Sequence, residues 1–175
     1  MIPYTLLEFD TLNSTSDFLK ENHSYFPHMT MIRTNYQTKG RGQFDRLWLS
    51  NKNENIMFSI LLKDVDINRV GNVKLWILES IITFINLYQI NCYFKEPNDI
   101  YVDDKKICGI LIETQTLETI YDYVVVGIGL NINQESFDGL PATSFRTILK
   151  TKQDIKKLFS KLVNILIKDY EKYQI

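Results

Sequence analysis

Between Gln37 and Trp48 the chain reads Gln37-Thr38-Lys39-Gly40-Arg41-Gly42-Gln43-Phe44-Asp45-Arg46-Leu47-Trp48, with two glycines, two arginines and a lysine that no packing argument requires. Glycines let a backbone approach phosphate oxygens, and guanidinium groups bind those oxygens through paired hydrogen bonds, so such a loop suits a polyanion. An ordinary solvated loop has the same composition. Two further segments bear on the choice: Lys95-Glu96-Pro97-Asn98-Asp99 with Lys105-Lys106-Ile107-Cys108-Gly109-Ile110-Leu111-Ile112-Glu113 after it, and Val124-Val125-Val126-Gly127-Ile128-Gly129-Leu130-Asn131-Ile132-Asn133. As packing alone, Gly127 and Gly129 mark a bulge or a close contact between strands.

The elements that must hold these segments follow from periodicity. Tyr4 to Phe9 predicts a short strand, and Asn13 or Ser14 caps a helix running toward Asn22. Met29 to Asn35 is a strand that delivers Gln37 to the loop, and Asn55 to Lys63 is an apolar strand interrupted by Asn55, Ser59 and Lys63. Asp66 caps a largely buried helix from Ile67 to about Tyr88. Cys92 to Lys95 is a strand that Pro97 ends or bends, and Asp103-Asp104-Lys105 turns a hairpin between Ile100-Val102 and Ile107-Thr114. Ile120 to Leu130, continuous in apolar residues, is a central strand. The last helix, Gln153 to Tyr173, buries a stripe from Ile155 to Tyr170 and solvates its lysines. Without strict strand–helix alternation, the fold class is α+β with a mixed or antiparallel sheet.

At 175 residues with 45% apolar residues the chain suits a single domain with a sizeable core. Lys and Arg number 20 against 21 acids, so the net charge of -1 points to neither nucleic acid nor a membrane surface. A polar N-terminus and the lack of any run near the roughly 20 apolar residues of a membrane span lead us to expect a cytoplasmic protein. Cys92 and Cys108 are expected as buried, reduced thiols, and His23 and His28 as surface residues.

In this order the three segments resemble the catalytic domain of the biotin–protein ligases, whose pattern is a Gly-Arg-Gly-Arg loop, a Lys-Trp-Pro-Asn-Asp block followed by a Lys-(Leu/Ile)-x-Gly-(Ile/Leu)-Leu strand, and a Gly-(Ile/Ala)-Gly-(Ile/Leu)-Asn strand end. The resemblance runs from about Leu7 to the last helix. It implies a mixed, mainly antiparallel sheet like that of class II aminoacyl-tRNA synthetases, with helices packed on one face and the site on the other. Many members add an N-terminal winged helix-turn-helix and a small C-terminal barrel, neither of which is expected within these 175 residues.

The implied reaction activates biotin with ATP to biotinyl-5′-AMP and passes the biotinyl group to a lysine of a biotin carboxyl carrier protein. Its difficulty is bringing one anion against another, a repulsion of about 4 kcal/mol at about 4 Å and an effective dielectric of about 20. By resemblance Lys95 is the leading cation at the acyl-phosphate centre, with Arg41 beside it and Mg²⁺ bridging the phosphates. The biotin site comprises Ser14, Thr15, Ser16, Gln37, Gly40, Arg41, Lys95, Gly109 and Ile110. The nucleotide site comprises Arg41, Gln43, Arg46, Trp48, Lys95, Asn98 and Asn131. Ser14 also suits a plain helix cap, Trp48 suits the core, and Asp99 either serves as base or merely orients Lys95. Because the mixed anhydride hydrolyses in water, a loop that orders over bound adenylate has a purpose.

Three positions depart from the pattern: Gln43 replaces the second loop arginine, Glu96 the tryptophan, and Ser16 an asparagine. Gln43 implies weaker retention of the adenylate, and Glu96 points to solvent or an unusual partner. The rivals are a lipoate or octanoate transferase of the same fold, whose loop is usually of another type, and a non-catalytic biotin or adenylate binder. A biotin-responsive repressor would need a DNA-binding domain. A monomer or weak homodimer is expected.

Overall fold

The computed structural model describes residues 2–44 and 46–175; Met1 and Asp45 lie outside the described residues. Seven strands form one sheet: β1 (Thr5–Leu12), β2 (Thr30–Gln37), β3 (Asn55–Asp66), β4 (Tyr93–Lys95), β5 (Asp99–Val102), β6 (Lys105–Leu117) and β7 (Ile120–Asn131), in the order β1-β2-β3-β7-β6-β5-β4. Only β1 and β2 run parallel. The sheet is therefore mixed and mainly antiparallel, and β7 is central, as its apolar run requires. Four α-helices accompany it: α1 (Thr15–Asn22), α2 (Val70–Asn86), α3 (Phe145–Leu149) and α4 (Ile155–Tyr170).

The period-2 pattern of β3 divides the two faces. Ile56, Phe58, Ile60 and Leu62 face the long helices and belong to the main core with Trp76, Ile81, Phe84, Leu162 and Leu166. Leu61 faces the other way and joins Leu19, Ile32 and Val125 beneath α1. Thus α2 and α4 cover one face, and short α1 covers part of the face that carries the site. Fully buried Trp76 fixes α2 against α4, because its indole Nε1 donates to the Leu166 carbonyl at 2.9 Å. Truncating such a residue to alanine removes both packing and a hydrogen bond, a loss on the order of 3–5 kcal/mol.

Several local expectations change. Asp66 does cap, accepting from Asn68 N, but what it caps is the 3₁₀ turn Ile67–Arg69, and α2 proper begins at Val70. Leu75, one of the apolar residues expected to be buried on α2, is exposed, and Cys92 is half-buried, whereas Cys108 is fully buried as expected. Burial pushes the Cys92 thiol up to about 11, so it stays protonated at neutral pH.

Both histidines are partly buried rather than fully exposed. His23 stacks on Tyr123 at 4.7 Å between ring centroids. His28 sets Nδ1 3.1 Å from the Lys63 amide nitrogen and Nε2 2.9 Å from the Tyr170 hydroxyl, tying β3 to α4. Burial lowers its pKa below the ordinary 6.5, so the folded state favours the neutral ring. The associated stability is complete above the ordinary value and is lost as pH falls below it. Between about pH 7 and about pH 5.5 the melting temperature of His28→Gln is accordingly expected to fall less than that of the unaltered chain, measured by circular dichroism.

Candidate active site

Residues directly opposed in antiparallel strands share a face, so the registers define the floor of the site. Met57, Gly129, Gly109 and Asp99 form one row across β3, β7, β6 and β5; Ser59, Gly127 and Leu111 form the next. Pairing between β7 and both neighbours runs unbroken through the glycines, so they mark no bulge. What approaches them is a ring and a helix start. A Cβ on Gly129 would lie 2.4 Å from Trp48 Cε2, one on Gly109 2.8 Å from Trp48 Cζ3, and one on Gly127 2.5 Å from Ser16 Oγ. The glycines thus give Trp48 and α1 their seats.

At the second row the start of α1 meets β3. Ser14 caps the helix, its Oγ accepting from Asp17 N at 3.2 Å. Gln37 Oε1 accepts from Thr15 N at 2.8 Å and Thr15 Oγ1 at 3.1 Å, while Ser59 Oγ lies 2.7 Å from Thr15 Oγ1 and 2.9 Å from Ser16 Oγ. Ser14, Thr15, Ser16 and Ser59 are all buried. The result is a hydroxyl and amide cluster at the closed end of the site, with hydrogen-bonding capacity of both signs.

The glycine-arginine loop is a small hairpin. Trp48 N donates to Gly40 O at 2.9 Å and Gly42 N to Arg46 O at 2.7 Å, and Arg41 pairs with Leu47. Gly40 lies behind it, where a Cβ would come 2.5 Å from the Trp48 carbonyl oxygen. Arg41 differs from the phosphate-facing cation the sequence suggests: its guanidinium is held by Asp17 and Glu113. Burial works against its charge, but the Glu113 and Asp17 carboxylates outweigh it and raise the pKa further. Asp17 is likewise desolvated, yet its hydrogen bonds from Lys20 and Arg41 keep its pKa below the usual carboxylate value.

The two lysines of the motif diverge. Lys95 is exposed at the sheet edge with Nζ 4.3 Å from the Tyr101 ring centroid. Lys106 extends over the glycine floor: Nζ is 2.7 Å from Asp99 Oδ1 and 5.4 Å from the Trp48 ring centroid. Asp99 therefore partners Lys106 rather than orienting Lys95. The space above the floor is a cavity of about 780 Å³, lined by every candidate except Gly40. The profile of the Biotin/lipoate A/B protein ligase family matches residues 8–131, which includes all of these elements.

The chain belongs to that family. The bifunctional ligase/repressor BirA of Bacillus subtilis is 32% identical over 136 residues, covering 76% of this chain and 42% of that one. Biotin–protein ligase 1, chloroplastic, of Arabidopsis thaliana is 33% identical over 147 residues, covering 79% and 38%. A solved biotin protein ligase from Aquifex aeolicus in complex with biotin and ATP matches with a TM-score of 0.79 at 28% identity, over 97% of this chain and 71% of that one. The chain spans less than half the length of the two protein relatives it matches.

Within this member of the family the remaining candidates fall around the same cavity. Asn98 Nδ2 donates to the Ile110 carbonyl at 2.6 Å and Ile110 N to Asn98 O at 3.0 Å, which fastens the Pro97 corner to β6. Asn131 is buried, with Nδ2 3.5 Å from the Lys106 carbonyl oxygen. Gln43 and exposed Arg46 lie on the hairpin, and Glu96 faces solvent 3.6 Å from Lys74 Nζ. The mouth is apolar: Phe44, Leu47, Leu49 and Leu140 line it and are well exposed.

Sequence reasoning missed two residues as candidates, Lys106 and Ser59. A polar residue amid the buried apolar run of β3 was a usable signal for Ser59. Lys106 opens the Lys-(Leu/Ile)-x-Gly pattern as Lys106-Ile107-Cys108-Gly109, so the motif itself was a usable signal for it. The pairing between β5 and β6 shifts, with Ile100 opposite Cys108 but Tyr101 opposite Lys106, so Ile107 is extra. Ile107 and Cys108 both enter the main core, and this bulge turns Lys106 onto the site face.

Proposed function

We propose that the chain activates biotin with ATP and transfers it to a lysine of a carrier domain. The observation that carries this reading is the glycine floor, with the apolar face of Trp48 and the Lys106–Asp99 pair at one end and the buried Thr15, Ser16 and Ser59 hydroxyls with half-buried Gln37 at the other. A bicyclic ureido head needs donors and acceptors at depth, and a short alkyl chain needs an apolar track leading to a cation. Lipoate, whose dithiolane head offers no comparable hydrogen bonds, would not use the donor and acceptor capacity that this cluster has beyond its own internal bonds, which favours biotin over the lipoate reading.

In this scheme the biotin carboxylate oxygen attacks the α-phosphorus of ATP and pyrophosphate leaves. The deprotonated carrier lysine then attacks the acyl carbon and AMP leaves. The Lys106 ammonium stands where the two anions must meet and offsets their repulsion, and Asp99 aims it. Lys95, at the rim, would meet the outer phosphates. Mg²⁺ entering with ATP would supply further positive charge at the phosphates. The exposed apolar mouth suits a protein substrate.

Ser59→Val tests the assignment of the polar end. It removes the hydroxyl that holds Thr15 and Ser16 but also adds a methyl group, so Ser59→Ala, which removes the hydroxyl without added bulk, is the paired control; in both the KM for biotin should rise about tenfold while kcat changes little. Initial rates of pyrophosphate release against biotin concentration give both constants, and an unchanged KM would reject the assignment.

A further inference from the structure

Arg41 stands at the base of the hairpin 40–48 and is gripped from two sides. Its Nε donates to Asp17 Oδ2 at 3.1 Å, and its Nη2 lies 2.7 Å from Asp17 Oδ1 and 2.8 Å and 2.9 Å from the two oxygens of Glu113. Lys20 Nζ closes the ring, 3.1 Å from Asp17 Oδ1 and 2.8 Å from Glu113 Oε1. Two carboxylates and two cations, contributed by α1, the loop and β6, thus neutralise one another with side chains 23% to 33% exposed. Isolated surface pairs contribute little, whereas a half-buried network in which each charge meets two opposite ones holds its geometry.

The hairpin has few other ties. Among the described residues its backbone hydrogen bonds are internal: Gly42 to Arg46, Arg46 to Gln43 and Trp48 to Gly40. The second tie is the Trp48 ring on Gly109 and Gly129, at the far end. Asp17 and Glu113 do not line the cavity, whereas Arg41 does. The two carboxylates therefore act on a bound ligand indirectly, and Arg41 with the hairpin it anchors is the group they grip that faces the cavity.

We propose that Asp17 and Glu113 are positioning residues that latch the hairpin over the cavity and so set how long an activated acyl-adenylate is retained. The adenylate half rests on the ligase reading; the latch itself is a property of the hairpin. Glu113→Gln and Asp17→Asn each keep size and remove charge. Of the two tryptophans, Trp76 is fully buried, so acrylamide quenching reads Trp48. The quenching constant should rise about threefold in both variants, as expected for a segment released from one of two attachments. Adenylate release should accelerate about tenfold while the rate of its formation changes less, and Arg41→Lys, which keeps charge without the planar fork, should fall between. Unchanged Trp48 quenching in both variants, with melting temperatures showing them folded, overturns the latch whatever the labelling activity. Raised quenching in a protein whose unaltered form makes no adenylate upholds the latch and overturns the ligase reading instead.

Discussion

Lys106→Ala is expected to lower kcat/KM for biotin activation by about 10²- to 10³-fold, the range typical of removing one preorganised charge from a reacting centre. Its Nζ is 2.7 Å from Asp99 Oδ1 above the glycine row, and truncation removes the cation while leaving the Asp99 carboxylate to add its own repulsion. Lys106→Arg would keep the charge, but a planar guanidinium is bulkier than the ammonium that lies close to Gly109 and the Trp48 ring, so rescue should be small. Lys95→Ala, which takes away an exposed side chain resting on Tyr101, should change the same constant by no more than about threefold. Pyrophosphate release measured for the three variants separates the two lysines, and the reverse ranking would return Lys95 to the centre of the reaction.

Gly129→Ala should be nearly as damaging for a different reason. The added Cβ would lie 2.4, 2.5 and 2.9 Å from three atoms of the Trp48 indole, two of them at the ring fusion. A rigid ring cannot yield there by rotating its tip, so it must lift, and the hairpin carrying it must follow. Alanine is otherwise acceptable in a central strand, and the registers with β3 and β6 leave the backbone unstrained. Affinity for biotin is therefore expected to fall by about 10- to 100-fold by calorimetry, as misplaced positioning groups do, with only a modest change in melting temperature. Biotin affinity within about twofold of the unaltered chain would mean that Trp48 is not part of the binding surface.

Much of this arrangement is local and therefore legible in the sequence. Apolar runs predict β3, β7 and the largely buried α2, a helical stripe predicts α4, and Ser14 reads as a cap from residue type and position. The five residues of α3 are too few for a periodic signal. What escapes reading is set by long-range contact. Whether Gly127 and Gly129 make a bulge or a seat depends on Trp48 and Ser16, far away in the chain. The charge on Arg41 looks free until Asp17 and Glu113, 24 and 72 residues away, fold against it. One extra residue at Ile107 exchanges the faces of β6 and brings Lys106, rather than Lys95, over the floor. His28 looks like a surface residue until Lys63 and Tyr170 close around it.

The central claim is that this chain joins biotin to a carrier lysine through an adenylate. It is tested most directly by incubating the purified protein with ATP, Mg²⁺, a biotin carrier domain and either biotin, lipoate or octanoate, and weighing the carrier by mass spectrometry. The account predicts an ATP-dependent gain of one biotinyl group, absent with Lys106→Ala and retained with Lys95→Ala. A lipoyl or octanoyl gain without a biotinyl one, or tight biotin binding with no gain at all, would contradict it.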